Sequence, residues 1–281
     1  MTNYGMNKEN KYNQDLAIIV SSCDDNLDVF KEFMKYFKLN WSDCPFKLIL
    51  VTQTQKYNDE NVVSVTTTVD TKWVDRIIEG MKYTEAKYIF TMCEDAFFLE
   101  PIKTDYVLQV IEFIKNNDIK YYCNPKHPAK KTKSNSFDSF PGALKIRKDV
   151  PYGVTSFTNI WERNEFANLF GGKDWTGWDI ENYFLKMASS SEYGYYEDYV
   201  TDKDNFLNVV ETVNRGKWTY ETYMFEKKGI AIDKGNREDA PKSEYYKKKF
   251  HIFLNHLVPT KWRKAIKKIF SKLGYKFVTE Y

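Results

Sequence analysis

Short apolar runs rich in β-branched and aromatic residues alternate, along the first half of the chain, with segments whose apolar residues recur every three or four positions. The runs predict buried strands, and the periodic segments predict helices with one apolar face. Predicted strands cover 16–21, 46–52, 62–68 and 88–93, and predicted helices cover 27–37, 72–81 and 106–116. This rhythm favours an α/β fold with a mostly parallel sheet and helices on both faces.

The pattern changes after residue 121. Residues 121–151 are rich in Pro, Lys, Ser and Asn, which predicts loops that could cover a substrate, with short strands near Tyr121 and at 143–147. The segments 159–170 and 178–187 regain helical periodicity and predict two further helices.

Composition and charge suggest three regions. The chain has 281 residues, 42% of them hydrophobic and 17% aromatic, which is enough for a sizeable core and excludes global disorder. Ten Lys and Arg residues and no acid lie within 247–276, so the rest of a chain with formal net charge +3 is acidic. We predict a loose polar tail at 1–14, one large domain at 15–245 and a basic helical tail at 246–281.

The four cysteines form no C-x-x-C pair, which favours reduced thiols in a cytoplasmic protein over a disulfide or zinc framework. Residues 1–14 do not resemble a signal sequence, and no apolar stretch is long enough to span a bilayer. The basic tail lacks a nucleic-acid recognition motif, so no nucleic-acid partner is expected.

The tail has a second property. Between residues 260 and 273 an apolar stripe is surrounded by lysine and arginine; its members are Trp262, Ile266, Ile269, Phe270 and Leu273. A basic amphipathic helix of this kind suits an anionic membrane surface, here the inner face of the cytoplasmic membrane. Docking of the same stripe onto the protein's own acidic body, or onto a second copy, is the alternative.

The acidic pair Glu94-Asp95 follows the predicted strand 88–93 directly. In open α/β sheets, ligands bind at the carboxyl ends of strands. Adjacent acids there suggest a divalent cation, which one or two carboxylates hold together with substrate phosphates. A solvated strand end or a helix N-cap is the alternative.

Three more residues are expected near that edge. Asp24 and Asp25 follow the first predicted strand, and Asp24 could accept a hydrogen bond from a nucleobase or ribose, while Asp25 could instead cap the next helix. Arg76, on the helix before the acidic strand, could bind a phosphate or pair with an acid on its own helix.

A second polar cluster lies at the start of the predicted helix 178–187. Trp178 stands beside Asp179 and Glu181, and an aromatic face next to carboxylates is typical of sugar binding. Alternatively, Asp179 is a first-turn acid favoured by the helix dipole, and Trp178 is a core residue.

Several short motifs occur in an order that resembles a known family. They are Ser22-Cys23-Asp24, Trp41, Pro45-Phe46, Trp73-x-x-Arg76, Glu94-Asp95, Ile160-Trp161-Glu-Arg163, Trp178-x-x-Glu181 and Arg215-Gly216-Lys217-Trp218. Together, across about residues 15–237, they resemble bacterial surface-polysaccharide glycosyltransferases of the GT-A type, which build capsule and lipopolysaccharide.

The resemblance implies transfer of a sugar from a nucleotide-sugar donor, UDP-linked, to a growing surface glycan or a lipid-linked acceptor. It implies donor binding by Asp24, Asp25, Arg76 and Glu94, a metal (Mn²⁺ or Mg²⁺) at Asp95 with Glu94, a catalytic base at Glu181 or secondarily Asp179, and sugar or acceptor binding by Trp161, Arg163 and Trp178. The family's Asp-x-Asp motif reads Cys93-Glu94-Asp95 here. A carbohydrate-binding or scaffold protein that keeps the fold without the chemistry is the alternative function.

Overall fold

The computed structural model describes residues 11–124, 132, 134–140, 142–203 and 206–257, with the backbone alone for residue 11 and for 251–257. The chain divides into two compact units, residues 1–211 and 212–281. In the first unit the strands are β1 (Leu16–Ser21), β2 (Lys47–Thr52), β3 (Val62–Thr66), β4 (Tyr88–Met92), β5 (Ala96–Phe98), β6 (Tyr121–Cys123), β7 (Ala143–Arg147), β8 (Asn159–Glu162), β9 (Tyr195–Asp202) and β10 (Val209–Glu211). Its helices are α1 (Leu27–Asn40), α2 (Trp73–Met81), α3 (Thr104–Asn116), α4 (Arg163–Phe170) and α5 (Gly177–Ser190).

Eight of these strands form one sheet in the order β3-β2-β1-β4-β8-β6-β9-β7. All of them run in one direction except β8 and β7, which are antiparallel to their neighbours. From β1 the chain passes through α1 to β2 on one side, whereas β3 leads through α2 to β4 on the other. The order therefore reverses between β1 and β4, and such a switch point opens a crevice at the carboxyl ends of the strands.

The two faces of the sheet are both covered by helices. Alternate residues of the strands, such as Ile19 and Ile89, pack into one apolar cluster with side chains of α2, α4 and α5. The opposite face holds aromatic contacts of α1 and α3, including Phe33 with Phe97 and Phe113 with Tyr122. Because both faces are buried, β1 is apolar at nearly every position and wholly buried.

The predicted fold class is confirmed: an α/β unit with a mostly parallel sheet and helices on both faces. One predicted element is wrong, because residues 159–162 form strand β8 and the helix begins only at Arg163. The two elements join without a loop, since the Glu162 carboxylate caps α4 by accepting a hydrogen bond from the Glu165 backbone N–H at 2.7 Å.

The second unit contains β11 (Val213–Asn214), β12 (Lys217–Trp218), α6 (Tyr223–Glu226) and α7 (Lys242–Leu257). The β11–β12 turn has positive φ at both central residues, Arg215 (51°) and Gly216 (76°), as the twist of a two-residue hairpin requires. The predicted boundary at residue 245 lies inside α7, and the predicted amphipathic segment 260–273 lies outside the described residues. In the part of the chain that the structure describes, no helix is both long and apolar enough to cross a membrane.

Candidate functional site

The candidate site lies where β1 and β4 end, at the switch point of the sheet. The chain leaves β1 into Ser22-Cys23 and a single 3-10 turn, Asp24–Asn26, and leaves β4 into Cys93-Glu94-Asp95. Because β1 and β4 are neighbouring parallel strands, both loops emerge at the same edge. The parallel pairing of β1 with β4 therefore brings the two acidic segments together, as the sequence predicted.

Glu94 is buried, 7% exposed, and joins the two loops. The side-chain amide of Asn26 donates a hydrogen bond to its Oε1. Burial raises the pKa of the Glu94 carboxyl, while the hydrogen bond from Asn26 and the positive charge of Arg76 counteract that rise. The Asn26 amide thus ties Glu94, and with it the loop after β4, to the loop after β1. The predicted role of Glu94 as a metal ligand remains a prediction.

Asp95, by contrast, is half-buried at the rim. The next residue, Ala96, begins β5, which pairs in antiparallel fashion with β10 so that Ala96 lies opposite Glu211. Strand pairing therefore constrains the backbone on both sides of the turn that carries Asp95. Among the described residues no group of three His, Cys, Asp or Glu side chains forms a metal cage. Asp95 fits the other mode, in which one carboxylate holds a divalent cation and substrate phosphates complete its shell.

Arg76 supplies a positive charge at the same edge. Its Nε donates a hydrogen bond to Ser21 Oγ at 3.0 Å, and its Nη1 donates one to the Thr71 carbonyl. No ion pair involves this guanidinium in the described chain, and burial lowers its pKa while neighbouring acids and thiols raise it. Its remaining N–H groups suit a phosphate, because a half-buried cation gains most from an anionic partner.

Asp24 has a structural task in this arrangement. Its carboxylate accepts hydrogen bonds from the backbone N–H groups of Gln53, Thr54 and Gln55, at 3.0–3.2 Å, and from the Thr54 hydroxyl. Its pKa is lowered, because these bonds outweigh the effect of burial. The side chain thus holds the loop after β2 against the loop after β1, and its predicted bond to a nucleotide remains a prediction. Asp25 is exposed.

Glu181 comes to the same edge from α5. It is 4% exposed, and its Oε1 accepts weak hydrogen bonds from the backbone N–H and the hydroxyl of Ser156, at 3.5 and 3.4 Å. Ser156 precedes β8, which starts beside the carboxyl end of β4. The segment that leads into α5 is tied to α2, because the Val74 N–H donates to the Trp175 carbonyl at 3.0 Å. The structure therefore brings the proposed base and the acidic loop to one edge.

Asp179 and Trp178, which are adjacent in the sequence, have different surroundings in the structure. Asp179 forms a capping box with Thr176, whose N–H and hydroxyl both donate to Asp179 Oδ2, at 2.8 and 2.6 Å. These bonds lower the Asp179 pKa and assign the side chain to the start of α5, as its alternative interpretation expected. Trp178 is 67% exposed, so it is not a core residue and its ring is open to a ligand.

Two predicted sugar-binding residues do not lie at the site. Trp161 is 1% exposed and packs in the core between Tyr121 and Phe170, because alternation along β8 turns it towards the helices. Arg163 follows the far end of β8, where its guanidinium donates to the Thr84 carbonyl before the start of β4. Since β8 runs antiparallel to β4, that end lies at the opposite edge of the sheet, and both predictions are wrong.

The loop before β8 contains polar residues that the sequence did not single out. Thr158 is buried with a φ of +50°, a left-handed conformation that is strained for a β-branched residue. Asn159, the first residue of β8, is fully buried, and its Oδ1 has no hydrogen-bond partner among the described residues. Glu211 was also missed, because only the pairing of β10 with β5 reveals it, more than a hundred residues after Asp95.

No family model matches the chain, and no curated protein matches it. Among solved structures, S. aureus TarS 1-349 is similar with a TM-score of 0.40 and 12% identity over 69% of this chain and 59% of that one. The same TarS fragment in complex with UDP gives 0.40 and 12% over 66% and 60%. A cytidylyltransferase from Leptospira borgpetersenii serovar Hardjo-bovis gives 0.45 and 9% over 78% and 88%. This chain thus spans less than two thirds of the TarS chains, and the function proposed below rests on the strand-end residues.

Proposed function

We propose that this chain is a glycosyltransferase that moves a sugar from a nucleotide-sugar donor, UDP-linked, to a glycan or lipid-linked acceptor. The observation that carries the proposal is that the Arg76 guanidinium, which has no ion pair in the described chain, and the Asp95 carboxylate both lie at the β1/β4 edge of the sheet. A cation for phosphate and a rim carboxylate for a divalent metal together match the diphosphate of such a donor.

The residues have distinct tasks in this proposal. Arg76 binds the diphosphate, Asp95 would hold Mn²⁺ or Mg²⁺, and Glu94 and Asp24 join the loops that carry them. A bound cation of this kind supplies Lewis-acid assistance to the departure of the nucleoside diphosphate. Trp178 offers an aromatic face to a sugar ring.

Glu181 is proposed as the general base of an inverting reaction. The acceptor hydroxyl forms a bond to the anomeric carbon, the bond from that carbon to the diphosphate breaks, and the hydroxyl proton passes to the Glu181 carboxylate. Ser156 lies against one oxygen of that carboxylate, with its backbone N–H at 3.5 Å and its hydroxyl at 3.4 Å. The base then acts from the α5 side while the diphosphate leaves from the β4 side.

A screen of nucleotide sugars tests the proposal. Release of nucleoside diphosphate is measured with Mn²⁺, with Mg²⁺ and with EDTA, for the wild type, for Arg76→Gln and for Arg147→Gln. Arg147 is the matched control, because it lies at the end of β7 and pairs with Asp149 at 2.6 Å. We expect turnover that Arg76→Gln abolishes and Arg147→Gln preserves. Glycan binding without turnover of any donor would instead indicate a carbohydrate-binding protein, and equal turnover by all three proteins would remove Arg76 from the site.

A further inference from the structure

Four tyrosines of the second unit form one cluster that the sequence pattern did not reveal. The ring of Tyr220 lies 5.5 Å from Tyr223, 5.2 Å from Tyr245 and 6.4 Å from Tyr246, measured between centroids. Tyr245 and Tyr246 are themselves 5.4 Å apart. The cluster joins the segment before α6 to the first turns of α7, two stretches separated by about twenty residues of sequence.

Lysines lie over the same rings. Lys227 Nζ is 5.0 Å from the centroid of Tyr223, and two further amines lie 5.2 Å from Tyr220 (Lys242) and 5.4 Å from Tyr245 (Lys249). Each ammonium gains from the negative face of an aromatic ring while it keeps its contact with water. Aromatic rings and positive charges are therefore interleaved on one surface.

The cluster is open to its surroundings. Tyr246 is 61% exposed and Phe250, one helical turn further along α7, is 51% exposed. Tyr223 and Met224 of α6 are exposed by 41% and 42%. Large apolar side chains grouped in this way on a folded surface mark an interaction site more often than scattered ones do. We call these residues, Tyr220, Tyr223, Met224, Tyr245, Tyr246 and Phe250 with Lys227, Lys242 and Lys249, the tyrosine surface.

Several acids near the tyrosine surface have lysine partners. Glu221 forms an ion pair with Lys248 at 3.8 Å, and Glu226 shares Lys234 (3.2 Å) with Asp239 (2.9 Å). Glu244 is exposed in the first turn of α7, where the helix dipole favours it. Lys227, Lys242 and Lys249 give this surface a positive charge, which favours an anionic partner.

We propose that the tyrosine surface binds the headgroup region of an anionic lipid bilayer. Tyrosine and phenylalanine side chains bury their apolar atoms at the boundary between headgroups and acyl chains, and lysines attract the anionic headgroups. Residues 258–276 add seven Lys or Arg and no acid after α7. The positive charge of the tyrosine surface is thus continued by the sequence that follows α7. A long positively charged stretch suits an extended anionic bilayer better than a small anionic ligand.

Vesicle sedimentation of the full chain tests this inference. Vesicles of phosphatidylglycerol with phosphatidylcholine are compared with phosphatidylcholine alone, at low and high salt. Substituting Lys227, Lys242 and Lys249 together by Gln should weaken binding to the anionic vesicles about a hundredfold, since each lysine near such a surface is worth about fivefold. The change Tyr223→Ser/Tyr246→Ser/Phe250→Ser should weaken it at least tenfold, as an order of magnitude.

Matched variants in the first unit control for charge and aromatic content. Lys31, Lys56 and Lys103 are exposed lysines, and Tyr83 and Tyr193 are exposed tyrosines, 45% and 69% accessible. Their substitution by Gln and Ser should leave binding unchanged. All variants retain residues 258–281, so undiminished binding by both surface variants would assign lipid attachment to that segment and overturn the inference. Salt-insensitive binding to neutral vesicles, or a surface that only mediates self-association, would overturn it as well. Circular dichroism confirms that each variant is folded.

Discussion

At the scale of single residues, two adjacent carboxylates at the end of β4 have opposite surroundings. Glu94 is buried and bonded by Asn26, whereas Asp95 is half-buried at the rim. Both residues lie in the turn between β4 and β5, which the Ala96 N–H closes by donating to the Cys93 carbonyl at 3.2 Å. Of these two adjacent acids, Asp95 is therefore the one whose carboxylate lies at the rim.

We expect Asp95→Asn to lower metal-dependent turnover of the donor about a hundredfold or more, because it removes the charge that holds the cation. The melting temperature should change by less than about 2 °C, as is usual for a residue that is partly exposed. Donor hydrolysis and thermal unfolding are measured on the same preparation. Wild-type turnover in the variant would contradict the assignment, and a large loss of stability would indicate a structural role.

Glu181→Gln should reduce transfer by about 10²–10⁴-fold while the donor KM stays nearly constant, because a general base acts in the transition state. Asp179→Asn is the paired control and should remain active, since Asp179 caps α5. Initial rates with an acceptor, measured for the two variants side by side, separate the roles. If only Asp179→Asn is inactive, the base is Asp179; if both variants are active, the base lies elsewhere.

The hydrogen-bonded Asp179 carboxylate should make the stability of the fold depend on pH. Its folded-state pKa is lowered by the bonds from Thr176, so the ionised side chain stabilises the fold at any pH above the unfolded-state pKa of about 4. That contribution is lost as the pH falls through the lower folded-state value. Asp179→Ala should lower the melting temperature by about 2–4 °C at neutral pH. The difference in melting temperature between the wild type and the variant should become smaller below about pH 4. A difference that does not depend on pH would contradict stabilisation by an ionised cap.

At the scale of elements, helix α2 lies close to the sheet because Gly80 has no side chain. A Cβ there would lie 2.8 Å from Ile19 Cγ2 and 2.9 Å from Val51 Cγ2, closer than such atoms approach. We expect Gly80→Ala to destabilise the protein by about 1–3 kcal/mol and to raise the donor KM, since α2 also supports Arg76. Denaturant unfolding and donor titration measure the two effects.

Gly194→Ala is the matched control for that change. No heavy atom lies within 4 Å of a Cβ built at this position, and its backbone is not in the left-handed region. The expected effect on the free energy of unfolding is within about 0.5 kcal/mol of zero. Equal effects at the two glycines would mean that backbone entropy, rather than close packing of α2, dominates at Gly80.

Much of the element order is predictable from sequence because strands and helices here have distinct periods. The run at 16–21 and the segment at 143–147 form strands with the predicted bounds. Residues 159–162 escaped because four apolar and polar residues running directly into α4 match a helical period as well as an alternating one. The same error explains why Trp161 was wrongly predicted to bind a sugar. In strand β8, residues 159 and 161 point to the same side of the sheet, and there the Trp161 ring is buried in the core.

The site was less predictable than the fold. Glu94-Asp95 and Asp24 stand beside strand ends in the sequence, so the sheet edge could be inferred. The hydrogen bonds that decide their roles are formed by Asn26 and by residues 53–55, and no local pattern announces them. Glu211 and Thr158 depend on strand pairing and backbone conformation, which composition and periodicity do not encode.

At the scale of the whole molecule, the four cysteines are free thiols at separate positions of the first unit. Cys123 is buried at the end of β6, and burial raises its pKa to about 11. We expect iodoacetamide at pH 8 to leave Cys123 unmodified in the native protein and to label all four cysteines after unfolding. Mass spectrometry of the labelled peptides measures this, and the melting temperature should not depend on reductant. Rapid native labelling of Cys123 would contradict its burial.

The position of β10 has a consequence for how such a chain can change over generations. This strand clamps the segment after the acidic pair, and its last residue, Glu211, is also the last residue of the first unit. Both strands of every pair next to Asp95 therefore lie within residues 1–211. Recombination between 211 and 212 would exchange the tyrosine surface for another second unit while it leaves those pairs intact. The proposed bilayer attachment and the proposed sugar transfer could thus be inherited separately.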